Sequence, residues 1–123
     1  MKIMKKEEVI EQYIKSGLII FEATLSGDYK TNNKEWKKIV RVFKMLEKDL
    51  VLAEDCLKDL LQNDIVVTRT YAASHCLALN ILVQEAIETL ESDASDEENG
   101  IFRVDARMTL KVWREQGYLR VYQ

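Results

Sequence analysis

The sequence predicts an all-α protein of about six helices, folded as a single domain over residues 1–123. A chain of 123 residues, of which 47% are apolar, has the length and composition of one globular domain. Proline is absent and glycine occurs only four times, so few positions would interrupt a helix. Apolar residues recur at steps of three and four along much of the chain, which is the spacing of one helix face.

The first helix is predicted over about residues 5 to 25, and a second follows it closely. Gly27 lies where a left-handed residue would end the first helix, and either Asp28 or Asn33 could cap the second. The apolar positions of the first helix are Val9, Ile10, Tyr13, Ile14, Leu18, Phe21 and Leu25. Those of the second are Trp36, Ile39, Val40, Phe43 and Leu46.

Helices three and four are predicted on either side of Asn63-Asp64, a pair that favours a turn. Asp49 could cap the third helix. Its apolar positions are Leu52, Ala53, Cys56, Leu57, Leu60 and Leu61. Residues 65–68 alone are typical of a strand, but the alanines that follow at helical spacing favour a fourth helix over about residues 65–79.

The fifth and sixth helices are predicted on either side of an acidic loop. Asn80 could cap the fifth helix. Residues 92–100 are polar, acidic and aperiodic, and they are predicted to form the loop. The sixth helix begins at about Ile101 and could end at Gly117. Residues 118–123 are a tail that we expect to pack back through its tyrosines.

The second half of the chain contains an internal repeat. Residues 67–72 align with residues 101–106 at an offset of 34. A period in the thirties, with two helices per unit, is typical of solenoids in which neighbouring units bury each other's apolar faces. Arg69 and Arg103 are equivalent in this alignment, and we expect both to bond turn carbonyls or an acidic neighbour.

One segment of the repeat resembles a known motif. Asp64-x-x-Val67-x-Arg69-x-x-Ala72-Ala73 resembles the second helix of a HEAT repeat, although it has Thr68 before the arginine. With residues 27–31, 72–77 and 108–113, the chain resembles a small family of uncharacterised bacterial HEAT-like proteins. The resemblance implies an α-α superhelix of the HEAT/armadillo type, with about six helices in three antiparallel pairs, and it transfers no catalytic or binding residue.

Six basic residues repeat along one face of the second helix, and we call them the lysine stripe. They are Lys30, Lys34, Lys37, Arg41, Lys44 and Lys48. Their spacing places them nearly opposite the apolar face of that helix. Such a stripe either keeps the helix solvated or binds an acidic protein surface or a nucleic-acid backbone. A pI of about 5.3 argues against nucleic acid.

The segment between residues 82 and 99 is strongly acidic and contains no basic residue. Its acidic residues are Glu85, Glu88, Glu91, Asp93, Asp96, Glu97 and Glu98. An EF-hand calcium loop that starts at Asp93 would need glycine at its sixth position, where this chain has Glu98. The segment is therefore predicted as a solvated loop or as a recognition loop for a basic partner, and neither a metal nor a cofactor is expected.

His75 is the only histidine, and we expect it to be a hydrogen-bonded structural residue. Neighbours on a helix diverge by about 100°, so His75 and Cys76 do not face one substrate. Cys56 and Cys76 are expected to be reduced core residues. Four tyrosines near helix boundaries or polar faces are candidates for a binding hot spot together with the lysine stripe: Tyr29, Tyr71, Tyr118 and Tyr122.

These features predict a non-enzymatic protein–protein interaction module. The chain has no Gly-rich phosphate loop, no His-Glu-x-x-His zinc motif and no nucleophile elbow, so no catalytic residue is proposed. Analogy with other small helical-repeat domains suggests a bacterial adaptor or a toxin-immunity protein. The alternative is nucleic-acid binding through the stripe. Without a membrane-spanning stretch or a signal peptide in residues 1–6, the expected location is the cytoplasm.

Overall fold

The computed structural model describes residues 4–122, which form six α-helices and one short 3-10 helix, and no strand occurs among them. The α-helices are α1 (Lys6–Ser26), α2 (Tyr29–Leu46), α3 (Leu50–Leu60), α4 (Val66–Leu79), α5 (Val83–Ser95) and α6 (Arg103–Gln116). This confirms the all-α prediction and the number of helices. Within residues 4–122, no helix has both the length and the apolar character required to cross a membrane.

Most of the predicted helix ends are confirmed by capping interactions. The Asp28 carboxylate accepts a hydrogen bond from the Thr31 N–H at 3.1 Å, which makes Asp28 the cap of α2. Asp49 caps α3 by the same type of bond from the N–H of Leu52. Gly27 ends α1 with a φ of 75°, a backbone conformation that glycine adopts without steric cost.

The prediction that Asn80 caps α5 is wrong. Asn80 instead ends α4 in the left-handed conformation, with a φ of 58°, and the residue that precedes α5 is Leu82. Asparagine is favoured both at helix starts and in left-handed positions. The residue type therefore marks a boundary without indicating which of the two helices it serves.

The predicted acidic loop over residues 92–100 is also largely helical. Helix α5 continues to Ser95, and a 3-10 helix spans Glu97–Phe102, with non-helical backbone at Gly100. Asp93 is only 2% exposed, because its carboxylate pairs with Arg69 of α4 at 3.0 Å. This tertiary contact extends α5 beyond the last apolar position that the sequence pattern marks.

Helices α1 and α4 lie at the centre of the packing. Helix α1 contacts α2, α3 and α4, and α4 contacts α5 and α6 in addition to α1 and α3. All six helices contribute to the cluster of buried apolar side chains. Helix α2 packs mainly on α1, so its outer face is left to solvent. The antiparallel pairing and the superhelix that the sequence suggests stay predictions.

Not every residue at helical core spacing is buried. Trp36 is 38% exposed, and Leu18 and Leu25 of α1 are exposed as well. Trp36 lies at the edge of a cleft whose other lining residues come from α4, α6 and the C-terminal tail. The spacing predicts which face of a helix is apolar, but burial also requires a neighbouring helix to cover it.

Candidate binding surface on the second helix

The lysine stripe forms an exposed face along α2. All six of its side chains are exposed. Five of them, from Lys30 to Lys44, belong to α2, and at 100° per residue their positions fall within about 40° of a single line along the helix. Lys48 follows in the turn after α2. From Lys30 to Lys44 this line extends about 21 Å, at 1.5 Å per residue. Ile39, Phe43 and Leu46 are buried on the opposite side of α2, so the predicted separation of basic and apolar faces is confirmed.

The charges of the stripe are not neutralised by nearby carboxylates. Within residues 4–122, none of the six stripe side chains forms an ion pair. The acidic residues within α2 and at its C-terminal cap have other partners: Glu35 pairs with Lys38, and Glu47 accepts a hydrogen bond from Tyr122. The cations of the stripe are therefore exposed without being held in salt bridges.

Glu35 fastens α2 to α1 beneath this surface. Its carboxylate is 3% exposed, accepts a hydrogen bond from the Ser16 hydroxyl at 3.1 Å, and pairs with Lys38 at 2.8 Å. Burial alone would raise the pKa of Glu35, but the bonds from Lys38 and Ser16 hold it below its ordinary value. Sequence analysis missed this residue, although it lies four positions before the buried Ile39 on the same face.

A groove between α1 and α2 continues the basic surface, and we call it the basic groove. It encloses about 670 Å³. Its cations are Lys15, Lys38, Arg41, Lys44 and Lys48, and its apolar lining residues are Met4, Val42 and Met45. Among the described residues, none of those that line it carries a carboxylate. Lys15 and Lys38 were missed by sequence analysis, because they become part of this surface only when α1 and α2 pack together.

The C-terminal tail packs back on the protein, as predicted, and its contacts lie at the end of the lysine stripe. The Tyr122 hydroxyl donates a hydrogen bond to Glu47, and its ring lies 4.5 Å from the Lys44 ammonium. The same ring meets Phe43 edge-on at 6.1 Å. Tyr118, in contrast, is half exposed. The tail therefore packs through one of its two tyrosines and places an aromatic ring beside the basic groove.

Tyr71, one of the predicted hot-spot residues, lies in a different place. It lines a cleft of about 340 Å³ with Trp36 and Met108, and an adjoining cleft of about 290 Å³. Neither cleft contains a residue of the lysine stripe. Burial raises the pKa of the Tyr71 hydroxyl to about 12, so it stays protonated at neutral pH. The structure does not bring Tyr71 and the stripe together in one site.

His75 is a buried structural residue, as predicted. Its Nδ1 shares a hydrogen bond of 2.7 Å with the Tyr13 hydroxyl, and its ring packs against Phe43 and Tyr71. Burial lowers the pKa of His75 to about 3, so its imidazole is neutral in the folded protein. Cys76 beside it and Cys56 are buried free thiols. In residues 4–122, no three His, Cys, Asp or Glu side chains are grouped so as to hold a metal ion.

The burial of His75 predicts that the protein loses stability in mild acid. Below about pH 6.5 the unfolded chain binds a proton at this residue and the folded protein does not, so unfolding becomes easier as the pH falls. His75 should contribute a loss of about 1.4 kcal/mol per pH unit between its unfolded and folded pKa values. Urea unfolding at a series of pH values measures this slope.

The control is His75→Asn, which keeps a hydrogen-bond acceptor near the position of Nδ1 but does not titrate. Its free energy of unfolding should depend less steeply on pH between about 6 and 4 than that of the wild type, because only the wild-type chain gains a proton at this position. Equal slopes for the two proteins would contradict a neutral, buried His75.

Comparisons with known proteins give this chain no relative from which a role could be taken. No protein-family pattern, no curated protein and no solved structure matches it.

Proposed function

We propose that this protein is a non-enzymatic interaction module that binds an acidic surface of another protein through the lysine stripe. One observation carries the proposal: within residues 4–122, six exposed cations without salt-bridge partners lie along α2 and the turn after it, in a chain whose net charge is −3. Complementary charge accelerates the encounter of two proteins and selects between partners. An acidic surface of similar length would match the stripe.

The wider role is proposed from the sequence. The contacts of α1 with α2 and of α5 with α6 support a HEAT-like superhelix of antiparallel helix pairs, the architecture implied by the family resemblance. A module of this kind would act as a bacterial adaptor or as an immunity protein that neutralises a toxin. The free thiols of Cys56 and Cys76 support the cytoplasm as its location.

Charge reversal in the stripe should abolish partner binding. With Lys34→Glu and Lys37→Glu combined, a stoichiometric partner captured from native cells should be reduced at least about tenfold, because attraction at two central positions becomes repulsion. Capture by the wild type should weaken as salt is raised, since ions screen exposed charges within about 10 Å at 0.1 M. Quantitative mass spectrometry of the captured material measures both effects.

The matched control combines Lys58→Glu and Lys111→Glu. Both lysines are exposed and lie outside α2, on α3 and α6, and the change in net charge is the same. This control should capture as much partner as the wild type. If the stripe variant also keeps its partner, the binding face lies elsewhere and the proposal is wrong.

Nucleic acid is the alternative partner, and the same exposed cations favour it. A backbone phosphate can pair with each lysine, and such binding would fall steeply with salt. The acidic pI of about 5.3 opposes it. Titration with duplex and single-stranded DNA at low salt decides the matter, because the absence of binding under those conditions would exclude this alternative.

A further inference from the structure

We infer that the basic groove between α1 and α2 receives an acidic amphipathic helix of another protein. This inference rests on the proposed function and specifies the kind of partner. The proposed function requires only an acidic surface against the stripe. The groove adds a second wall and an apolar floor, and both restrict what can bind there.

Positive charge lines the groove from two helices. Lys15 projects from α1, and the other four cations belong to α2 and the turn after it. Because none of the lining residues between positions 4 and 122 carries a carboxylate, an occupant meets positive charge on both of its sides. A partner with acidic residues on two flanks can pair with the cations of both walls, whereas a flat acidic patch contacts the cations of only one wall.

The floor of the groove is apolar. Met4 and Met45 are partly exposed there, and Val42 is buried between the walls. Methionine side chains are flexible and polarisable, so they adapt to varied apolar partners. A phosphate backbone has no apolar surface to bury against such a floor. An amphipathic helix has an apolar face that can be buried there, and helices commonly bind grooves in this way.

The length of the groove suits a short helix. Its cations on the α2 side begin at Lys38 and continue past the end of the helix to Lys48; the helical part, from Lys38 to Leu46, corresponds to about 12 Å at 1.5 Å per residue. A partner helix of about three turns would cover this distance. Apolar side chains at positions i, i+3 or i+4, and i+7 would face the floor, and acidic residues on either side would face the lysines.

The most acidic helix of a second copy, α5, does not supply such a face. Its apolar residues Ala86 and Leu90 are fully buried in the core, and presenting them to another molecule would require unfolding α5. The inference therefore commits to a helix of a different protein.

Two synthetic peptides of identical composition test the inference against the full-length protein. One places leucines on a single face of a three-turn helix with glutamates on both flanks, and the other has the same residues in scrambled order. Fluorescence anisotropy should show at least about tenfold tighter binding of the amphipathic peptide, which alone can bury a continuous apolar face. Its circular dichroism should become more helical on binding.

Equal binding of the two peptides would overturn the inference and leave the proposed function in place, because charge alone would then be recognised. If neither peptide bound, the inference would also fail, and capture of a cellular partner would still decide the proposed function separately. Displacement of the amphipathic peptide by single-stranded DNA of equal charge, at equal concentration, would show that the groove prefers phosphate and would overturn the inference as well.

Two groove variants with matched controls locate the binding. Lys15→Glu and Met45→Gln should each weaken binding of the amphipathic peptide about five- to tenfold, through the wall and the floor respectively. The controls Lys111→Glu and Met108→Gln repeat the same changes at exposed positions of α6 and should leave affinity unchanged. Lys15 is exposed, so the Lys15→Glu variant should fold normally. If this variant kept the wild-type affinity for the amphipathic peptide, the peptide would bind outside the groove.

Discussion

Arg69→Ala should lower the free energy of unfolding by about 3–5 kcal/mol, the usual result of leaving a buried charge without its partner. The Nε and Nη2 atoms of Arg69 both lie 3.0 Å from one carboxylate oxygen of Asp93, which is almost completely buried. The Nη1 atom donates a further bond of 2.8 Å to the carbonyl of Asn63. One side chain therefore joins the turn before α4 to the end of α5, and urea unfolding measures its contribution.

The internal repeat supplies the control for this experiment. Arg103 is the equivalent of Arg69, and its Nε donates to the carbonyl of Gly100 at 3.0 Å, but within the described part of the chain it pairs with no carboxylate. Arg103→Ala should therefore cost about 1 kcal/mol or less. If the two variants lost similar amounts of unfolding free energy, the pairing with Asp93 would not be the cause of the loss in Arg69→Ala.

The pH provides a second check on Arg69→Ala. Burial raises the pKa of Asp93, and the bonds from Arg69 and Thr70 act in the opposite direction. Without the guanidinium the pKa rises further. When the pKa of a carboxyl group is higher in the folded than in the unfolded state, the protein loses stability as the pH increases through the unfolded-state pKa of that group. The difference in free energy of unfolding between Arg69→Ala and the wild type should therefore shrink as the pH falls towards about 4.

Gly17→Ala should lower the free energy of unfolding by about 2 kcal/mol, within the range observed for overpacked cores. Gly17 is buried in the middle of α1, where α1 meets α4. An added Cβ would lie 2.0 Å from the Thr68 Oγ1 and 3.3 Å from the Thr68 Cα. The clash with the buried hydroxyl, together with the tight approach to the Thr68 backbone, must shift the two helices, and this outweighs the gain of up to about 1 kcal/mol from the higher helix propensity of alanine.

A double-mutant cycle with Thr68→Ala separates the clash from other effects. Thr68 is fully buried, and among the described residues its hydroxyl has no hydrogen-bond partner. Removing the hydroxyl eliminates the closest contact, so Gly17→Ala should cost less than half as much in the Thr68→Ala background as in the wild type. Chemical unfolding of all four proteins gives the coupling. Independent effects of the two substitutions would contradict a direct contact.

The sequence predicts the helices and the stripe well, because both depend on local spacing. Basic residues at steps of three and four share a helix face wherever that helix packs, so the stripe is visible before any tertiary contact is known. The same holds for the caps at Asp28 and Asp49, which act within one turn. The groove is different, since Lys15 joins the stripe only through the packing of α1 against α2.

Long-range partners decide the features that the sequence pattern misjudges. Asp93 lies in a segment with the composition of a solvated loop, and its pairing with Arg69 makes it a buried end of α5. Glu35 looks like one more surface charge of α2, but Ser16 and Lys38 allow it to be buried. A buried charge requires partners, and residues 24 positions apart, or on two helices, are not recognisable as partners from spacing alone.

The sequence by itself determined that the chain forms six amphipathic helices, that one of them carries an exposed basic face, and that its histidine and cysteines belong to the interior. These properties follow from periodicity and residue type, which act over a few positions. Only the tertiary structure decided that Trp36 is exposed, that Tyr71 lies apart from the stripe, and that α1 adds a second wall to the basic groove. Those outcomes depend on which helix covers which face, and helix packing brings together residues that are distant along the chain.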